Sequence, residues 1–372
     1  MKITDVETIL LRLPLVQEIG DGCQTICVIR VHTDEGIVGV GEAHTNPLAA
    51  QAIIDSPMYS VSAQGLKHLL VGEDPRDINR LWDKMYKASQ TYGRRGLLMH
   101  AMSGVDIALW DILGKASGLP IYRLLGGARK REHLAYASDL SQPTIEGTID
   151  LALQHKASGY RAMKFGWGAL GKDRKSDIAI AARLRQALGP DFDIMIDMGF
   201  SVPLDHAIQL GRAYAEQDLF FLEEPLSPDD IGGFAKLVAA SPTPIATGEK
   251  ASHEFDYLDL MDRGGLRIIQ PDIARMGGIS AMIRVIAHAE ARNVRVIPHC
   301  WSTDILVAAT LHCIATLRDC PYLEYNATAN PLRTDLLVNP IRPNKGTITA
   351  PEKPGLGIEL REDTLKRFRW QP

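Results

Sequence analysis

The sequence predicts an α/β fold: a modified (β/α)7β barrel of the TIM type, preceded by a small α+β domain. After Gly126-Gly127, short apolar segments alternate with longer ones of helical spacing, the pattern of a parallel sheet covered by helices. Eight such apolar segments occur with seven helical stretches between them, enough to close a barrel that lacks its last helix. Before residue 126 the order differs, strands first and helices after, which marks a separate α+β unit.

In the front unit, residues 1–125, the segments 3–15 and 25–43 are rich in β-branched residues. The second is broken by Asp34-Glu35-Gly36, a hairpin signal. Residues 76–89 and 96–118 carry apolar side chains at helical spacing, and the latter stops at Gly118 with Pro120 just beyond. In the barrel, residues 126–339, the expected strands are 133–139, 161–165, 192–198, 219–225, 243–249, 266–272, 294–300 and 320–326. Segments such as 177–189 and 281–293 supply the helices. The tail, 340–372, is rich in Pro and Gly and is expected to return to the front domain and join it.

Composition narrows the function. Hydrophobic residues make up 45% of the 372 and charged residues 23%, ordinary for a globular protein. A net charge of −4 gives no general attraction to nucleic acid or an anionic membrane, so the expected partner is a small molecule, and an anionic one needs local cations. The five cysteines form no Cys-x-x-Cys pair and read as reduced thiols of a cytoplasmic protein. The first residues lack the pattern of a secretory signal, and no apolar run is read as long enough to span a bilayer.

The strand ends carry the chemistry. Asp197, Glu223, Glu249, Asp272, His299 and Glu324 lie at or near the C-terminal ends of successive strands, 23 to 27 residues apart. That spacing is one strand–helix unit, so a barrel gathers all six at its C-terminal mouth, where such folds place active sites. Asp197, Glu223 and Glu249 come from three consecutive strands, and three hard oxygen donors without thiolate or imidazole suit Mg²⁺. The alternative, helix-capping or ion-pairing acids, fits one such residue better than three in register. Asp272 beside His299 would fix the imidazole tautomer for acid–base work. Lys164 ends the second strand and brings a positive charge to the same mouth, where it would meet a substrate carboxylate or, with a depressed pKa, act as a base. Glu324 is expected to contact substrate or to hold His299, with a structural role as the alternative. Trp167 and Trp301 would wall the pocket unless they are plain packing.

With these residues in place the chain resembles the mandelate racemase branch of the enolase superfamily. The resemblance rests on Asp197, on LEEP with Glu223, on GE with Glu249, on QPDIARMGGI with Asp272 and on IPHC with His299. Arg94-Arg95-Gly96, the 100–127 segment and PGLGIEL near the end support it. It implies an N-terminal capping domain over the barrel mouth, essential Mg²⁺, substrate selection by loops near 16–27 and 44–60, and a homo-oligomer. Enolase-superfamily sites with a Lys or His base and Mg²⁺ are a known pairing. One departure matters. The branch carries Lys-x-Lys at the end of the second strand; here Lys164-Phe165-Gly166 keeps the first Lys and replaces the second with glycine.

That departure favours dehydration over racemisation. Inverting C2 needs acid–base groups on both faces, whereas one imidazole can remove the C2 proton, through an enediolate, and return it to the departing C3 hydroxyl. The expected activity is therefore a hydro-lyase acting on an acid sugar, an aldonate or aldarate, to give a 2-keto-3-deoxy acid. A racemase or epimerase of a 2-hydroxy acid and a non-catalytic metal-dependent acid-binding protein are the alternatives. Lys250 is expected to pair with a ligand carboxylate or touch substrate, and Arg94 and Arg95 to tie the capping domain to the barrel or to another subunit, or to reach a distal carboxylate.

Overall fold

The computed structural model describes residues 1–20, 22–168, 170–199 and 202–371. The front unit begins with an antiparallel sheet of β1 (Ile3–Arg12), β2 (Thr25–Thr33) and β3 (Val38–Ala43), in that order. The turn between β2 and β3 contains Gly36 at φ 78°, the left-handed conformation that Asp34-Glu35-Gly36 predicts. Helices α1 (Pro47–Asp55), α2 (Leu66–Leu70), α3 (Ile78–Lys87), α4 (Leu97–Ser117) and α5 (Ile121–Leu124) follow. The 44–60 stretch, expected as a loop, contains α1, whose Asn46 side chain accepts from Leu48 N and Ala49 N ahead of Pro47, a strong N-cap.

Helix α4 is the core of this unit and ends at Gly118, φ 68°, as its sequence signal implies. By length and composition alone it passes for a membrane span, contrary to the reading of the sequence. Its most apolar window is 78% buried inside the protein, because β3 lies on one side of it and a barrel helix on the other. The approach of β3 is so close that a Cβ on Gly41 would sit 1.9 Å from the Gly104 carbonyl oxygen. Glycines on both elements therefore set the height at which the end of β3 meets the barrel.

The barrel strands are β4 (Glu132–Leu140), β5 (Ala162–Gly166), β6 (Asp193–Asp197), β7 (Phe221–Glu223), β8 (Ile245–Thr247), β9 (Ile268–Ile269), β10 (Arg295–Val296) and β11 (Leu323–Asn326). Between them run α6 (Ile145–Ala157), α7 (Arg174–Leu188), α8 (Leu204–Ala215), α9 (Ile231–Ala240), α10 (Glu254–Asp262), α11 (Gly278–Ala291) and α12 (Asp304–Ile314). All eight strands sit where the sequence predicts, and the pairings among them are all parallel. The ladder runs from β10 down to β4 and on to β11; among the described residues no pairing joins β10 to β11.

Helix α13 (Pro331–Thr334) follows, and the tail then does two things. Strand β12 (Thr347–Thr349) pairs antiparallel with the start of β4, so this part of the tail belongs to the barrel. Only afterwards does the chain return to the front unit: Ile121 N donates to Gly355 O at 3.1 Å, α14 (Glu362–Phe368) packs on β1, and Trp370 N donates to Leu10 O at 2.8 Å.

Candidate active site

Alternate residues of a barrel strand face inward, and here they form two layers. The lower is apolar: Tyr136, Ala162, Met195, Phe221, Ala246, Ile268, Ile297 and Tyr322, one from each strand segment, make a single buried cluster. Two residues further along each segment stand Ser138, Lys164, Asp197, Glu223, Gly248, Gln270, His299 and Glu324. An apolar plug thus closes the barrel, and an almost wholly polar ring rests on it at the C-terminal mouth.

The ring is internally bonded. Lys164 Nζ donates to Glu223 Oε1 at 2.6 Å and to Glu324 Oε1 at 2.8 Å. Gln270 Nε2 donates to Glu223 Oε2 at 2.6 Å. Glu324 also accepts from Ser138 Oγ and from Cys300 N, both at 2.7 Å. Its partners are thus protein groups from β4, β5 and the loop after β10, so it braces Lys164 and the His299 loop through its own bonds.

Asp197, Glu223 and Glu249 each bring a carboxylate oxygen to within 4.8 Å of the others, and all three are buried. Burial, then crowding by neighbouring carboxylates, pushes Asp197 and Glu223 above the usual carboxylate range despite Lys164. Around the cluster, Lys164, Lys250 and Arg275 face five carboxylates, those of Asp197, Glu223, Glu224, Glu249 and Glu324, which leaves negative charge unmatched. Three convergent hard oxygens with an unmet need for positive charge fit a divalent cation such as Mg²⁺. Glu249 is the best compensated member. Burial pushes its carboxyl up, but His299, Lys250 and Arg275 outweigh that and lower it. Lys250 bridges Glu249, at 3.0 Å, and Glu224, so it pairs with a candidate ligand.

Across the mouth, His299 Nδ1 lies 2.8 Å from Asp272 Oδ2, and its Nε2 points at the carboxylate cluster, 3.1 Å from Glu249 Oε2. Two further residues meet here that the sequence reading did not single out. His44, just past β3 in the front unit, places its Nδ1 2.8 Å from the same Asp272 Oδ2. Arg275 reaches Asp272 Oδ2 at 3.4 Å, Glu249 O at 3.2 Å and His44 Nε2 at 3.2 Å. Burial pushes the Asp272 carboxyl up, but His44, Arg275 and His299 prevail and hold it well below the usual range.

Of these groups, Lys164, Asp197, Glu249, Arg275, His299 and Glu324 line a cavity of about 380 Å³, in the size class of small-molecule sites. The front unit contributes Ile19, Gly20, Gly22 and His44 to its wall, so the loop near 16–27 covers the mouth, while only the first residue of the 44–60 stretch reaches it. Trp167 and Trp301 both line the cavity. Trp167 adopts φ 62°, a strained conformation for an aromatic residue, and packs on Gly20 and Gly199, where an added Cβ would lie 3.1 and 3.3 Å from the indole. Arg95 pairs with Asp256 of α10 at 3.0 Å and so ties front unit to barrel.

Fold and site together define the class: a capped-barrel enzyme with acid–base and carboxylate groups gathered at one mouth. Residues 6–126 match "Mandelate racemase / muconate lactonizing enzyme, N-terminal domain", and residues 148–364 match "Enolase C-terminal domain-like". A D-galactarolactone cycloisomerase of Agrobacterium fabrum is 32% identical, with 99% of each chain covered. An arabinonate dehydratase of Saccharolobus solfataricus is 31% identical over 92% of this chain and 90% of its own. Among solved structures, a racemase from Streptomyces coelicolor A3(2) with bound magnesium superposes with a TM-score of 0.88 at 28% identity, covering 99% of this chain and 100% of the other. The chain belongs to the enolase superfamily, in its mandelate racemase branch.

Proposed function

We propose that the protein is a magnesium-dependent dehydratase of an acid sugar, an aldonate or aldarate. The observation that carries this reading is that the acid–base machinery stands on one side of the cavity. His299 and Asp272 form it; at the corresponding place on β5 stands Gly166, so close to Asp197 that even a Cβ would lie 2.9 Å from Oδ2. We assign Lys164 the role of a cation and not of a second base, because Glu223 Oε1 and Glu324 Oε1 lie 2.6 and 2.8 Å from its Nζ. Burial would lower its pKa, but Glu223 and Glu324 outweigh burial and hold it well above the usual lysine range, so it stays a cation.

Asp197, Glu223 and Glu249 would hold Mg²⁺, which when bound supplies Lewis-acid stabilisation of charge on the substrate carboxylate. Lys164 adds a fixed positive charge beside it, where negative charge develops as the C2–H bond breaks. His299 Nε2 accepts the C2 proton, and the electron pair moves into the bond between C2 and the carboxyl carbon. As that pair moves back to form the C2–C3 double bond, the C3–O bond breaks and His299 returns its proton to the leaving hydroxyl, releasing water. The enol tautomerises to the 2-keto-3-deoxy acid. Asp272 keeps the imidazole oriented throughout. The cap loop around Ile19 and Gly20 lines the cavity mouth, where closing over bound substrate would exclude solvent.

The cycloisomerase relative favours a second reading in which the group leaving C3 is a ring oxygen that stays attached to the product. Mass separates the two. Incubation of aldonates, aldarates and their lactone and anhydro forms with the protein and Mg²⁺ is expected to give, for at least one open-chain acid, a 2-keto acid one water lighter than the substrate. A 2-keto acid of unchanged mass from a ring form supports the second reading, and a panel with no 2-keto acid product contradicts both.

A further inference from the structure

Asp272 serves two imidazoles. His44 and His299 each place Nδ1 2.8 Å from the same oxygen, Oδ2, while Oδ1 accepts from Ala274 N at 2.8 Å. The rings lie nearly parallel, 13° apart with centroids 5.8 Å apart, one from the cap and one from the barrel. The tautomer of His44 follows from its other neighbour. Arg275 Nη2 lies 3.2 Å from His44 Nε2, and a guanidinium only donates, so Nε2 accepts and Nδ1 carries the proton given to Asp272. His44, Asp272 and His299 lie within 4.8 Å of one another, as metal ligands do, but the Arg275 guanidinium is inserted against both His44 and Asp272 and disfavours a second cation there.

The cap delivers His44 to a defined height. Two residues earlier on β3, the buried Glu42 accepts from Ser302 Oγ and from Thr303 Oγ1 at 2.5 Å, on the loop just after His299. His44 N itself donates to Ala274 O at 3.2 Å, on the loop just after Asp272. The end of β3 is therefore stitched to both loops that carry the acid–base pair.

We infer that His44 is a positioning residue for that pair: seating the cap places its Nδ1–H on Asp272, fixes the carboxylate between two imidazoles, and so orients His299 for proton transfer only when the cap is in place. This rests on the base role proposed above for His299. The test uses the Mg²⁺-loaded protein, the acid sugar that turns over fastest in the panel, and two variants. His44→Phe keeps a flat ring and removes the donor; His44→Asn restores a donor at a similar distance. His44→Phe is expected to lower kcat by at least about tenfold, the scale at which orienting partners act, with KM within about twofold, and His44→Asn to recover most of kcat. In ¹⁵N-histidine-labelled protein, the His299 Nδ1–H resonance, assigned by its loss in His299→Asn, is expected to move in His44→Phe and to return toward its original position in His44→Asn.

Unchanged kcat and an unmoved His299 resonance in His44→Phe overturn the inference. A rise in KM alone makes His44 a substrate contact and overturns it too, as does a loss of kcat that His44→Asn does not restore. The resonance needs no substrate. A panel without turnover sinks the reaction assignment, while the resonance still decides whether His44 orients His299.

Discussion

Single side chains in this site work through their partners. His299 has Asp272 on one nitrogen and the carboxylate cluster before the other, so replacing it with Asn removes the proposed proton acceptor and leaves Asp197, Glu223 and Glu249 in place. His299→Asn is expected to lower kcat by at least about 100-fold, as loss of a general base does. Mg²⁺ affinity, measured by calorimetry, should change little by comparison. Near-normal turnover in that variant removes His299 from the base role. Glu324 joins protein contacts to a place in the cavity wall. Expected to contact substrate or to hold His299, it accepts from Ser138, Lys164 and Cys300 N, which braces the His299 loop, and it also lines the cavity.

At the scale of elements, the period of two along each strand does most of the organising. It turns the apolar plug and the polar ring into consecutive layers of the same strands, and that pattern is legible in the sequence because the strand cores are continuously apolar and end in charge. Strand β5 carries the decisive local choice, Gly166. Gly166→Ala is expected to crowd Asp197 and weaken Mg²⁺ binding by about tenfold, the effect of disturbing a ligand's surroundings. Mg²⁺ titration followed by thermal shift checks it, and unaltered affinity shows that Asp197 tolerates the methyl. Other elements were less legible. Segments expected as seven-residue strands pair over only two or three residues in β7, β8, β9 and β10. Beyond those pairings, the backbones carrying Glu249, Asp272 and His299 have left the ladder. Helix α1 hid in a stretch read as loop, although Asn46-Pro47 is a cap signal. His44 and Arg275 could not be singled out, because their meaning lies in which strand end meets which loop, a tertiary fact without a local pattern.

The whole molecule is a cap locked onto a barrel by buried polar contacts. Asp106 of α4 accepts from Ser280 N at 2.9 Å and Ser280 Oγ at 2.6 Å at the start of α11, and Glu42 holds the 302–303 loop. Burial pushes the Glu42 carboxyl up, and although Ser302 and Thr303 oppose this, it rises from 4.5 to about 7. The sign of the stability effect follows. As pH rises, the unfolded chain loses this proton first, near 4.5, while the folded chain keeps it to about 7. In that window the native state binds more protons, so the contribution of Glu42 to stability falls as pH rises. Glu42→Gln lacks this loss. Its stability relative to the unmodified protein is expected to improve between pH 5 and 7.5, by up to about 3 kcal/mol. Denaturant melts of both proteins across that range check it, and a constant difference contradicts the buried-acid account.

The central claim is that one imidazole, acting from one side of the cavity, both removes the C2 proton and expels the C3 hydroxyl. Turnover of the active acid sugar in deuterated water, followed by NMR of both product and recovered substrate, tests it most directly. The account predicts a 2-keto-3-deoxy acid bearing solvent deuterium at C3, and recovered substrate whose C2 configuration is unchanged. Accumulation of the C2-inverted substrate with deuterium at C2 would contradict it, because that outcome requires a second proton carrier on the opposite face.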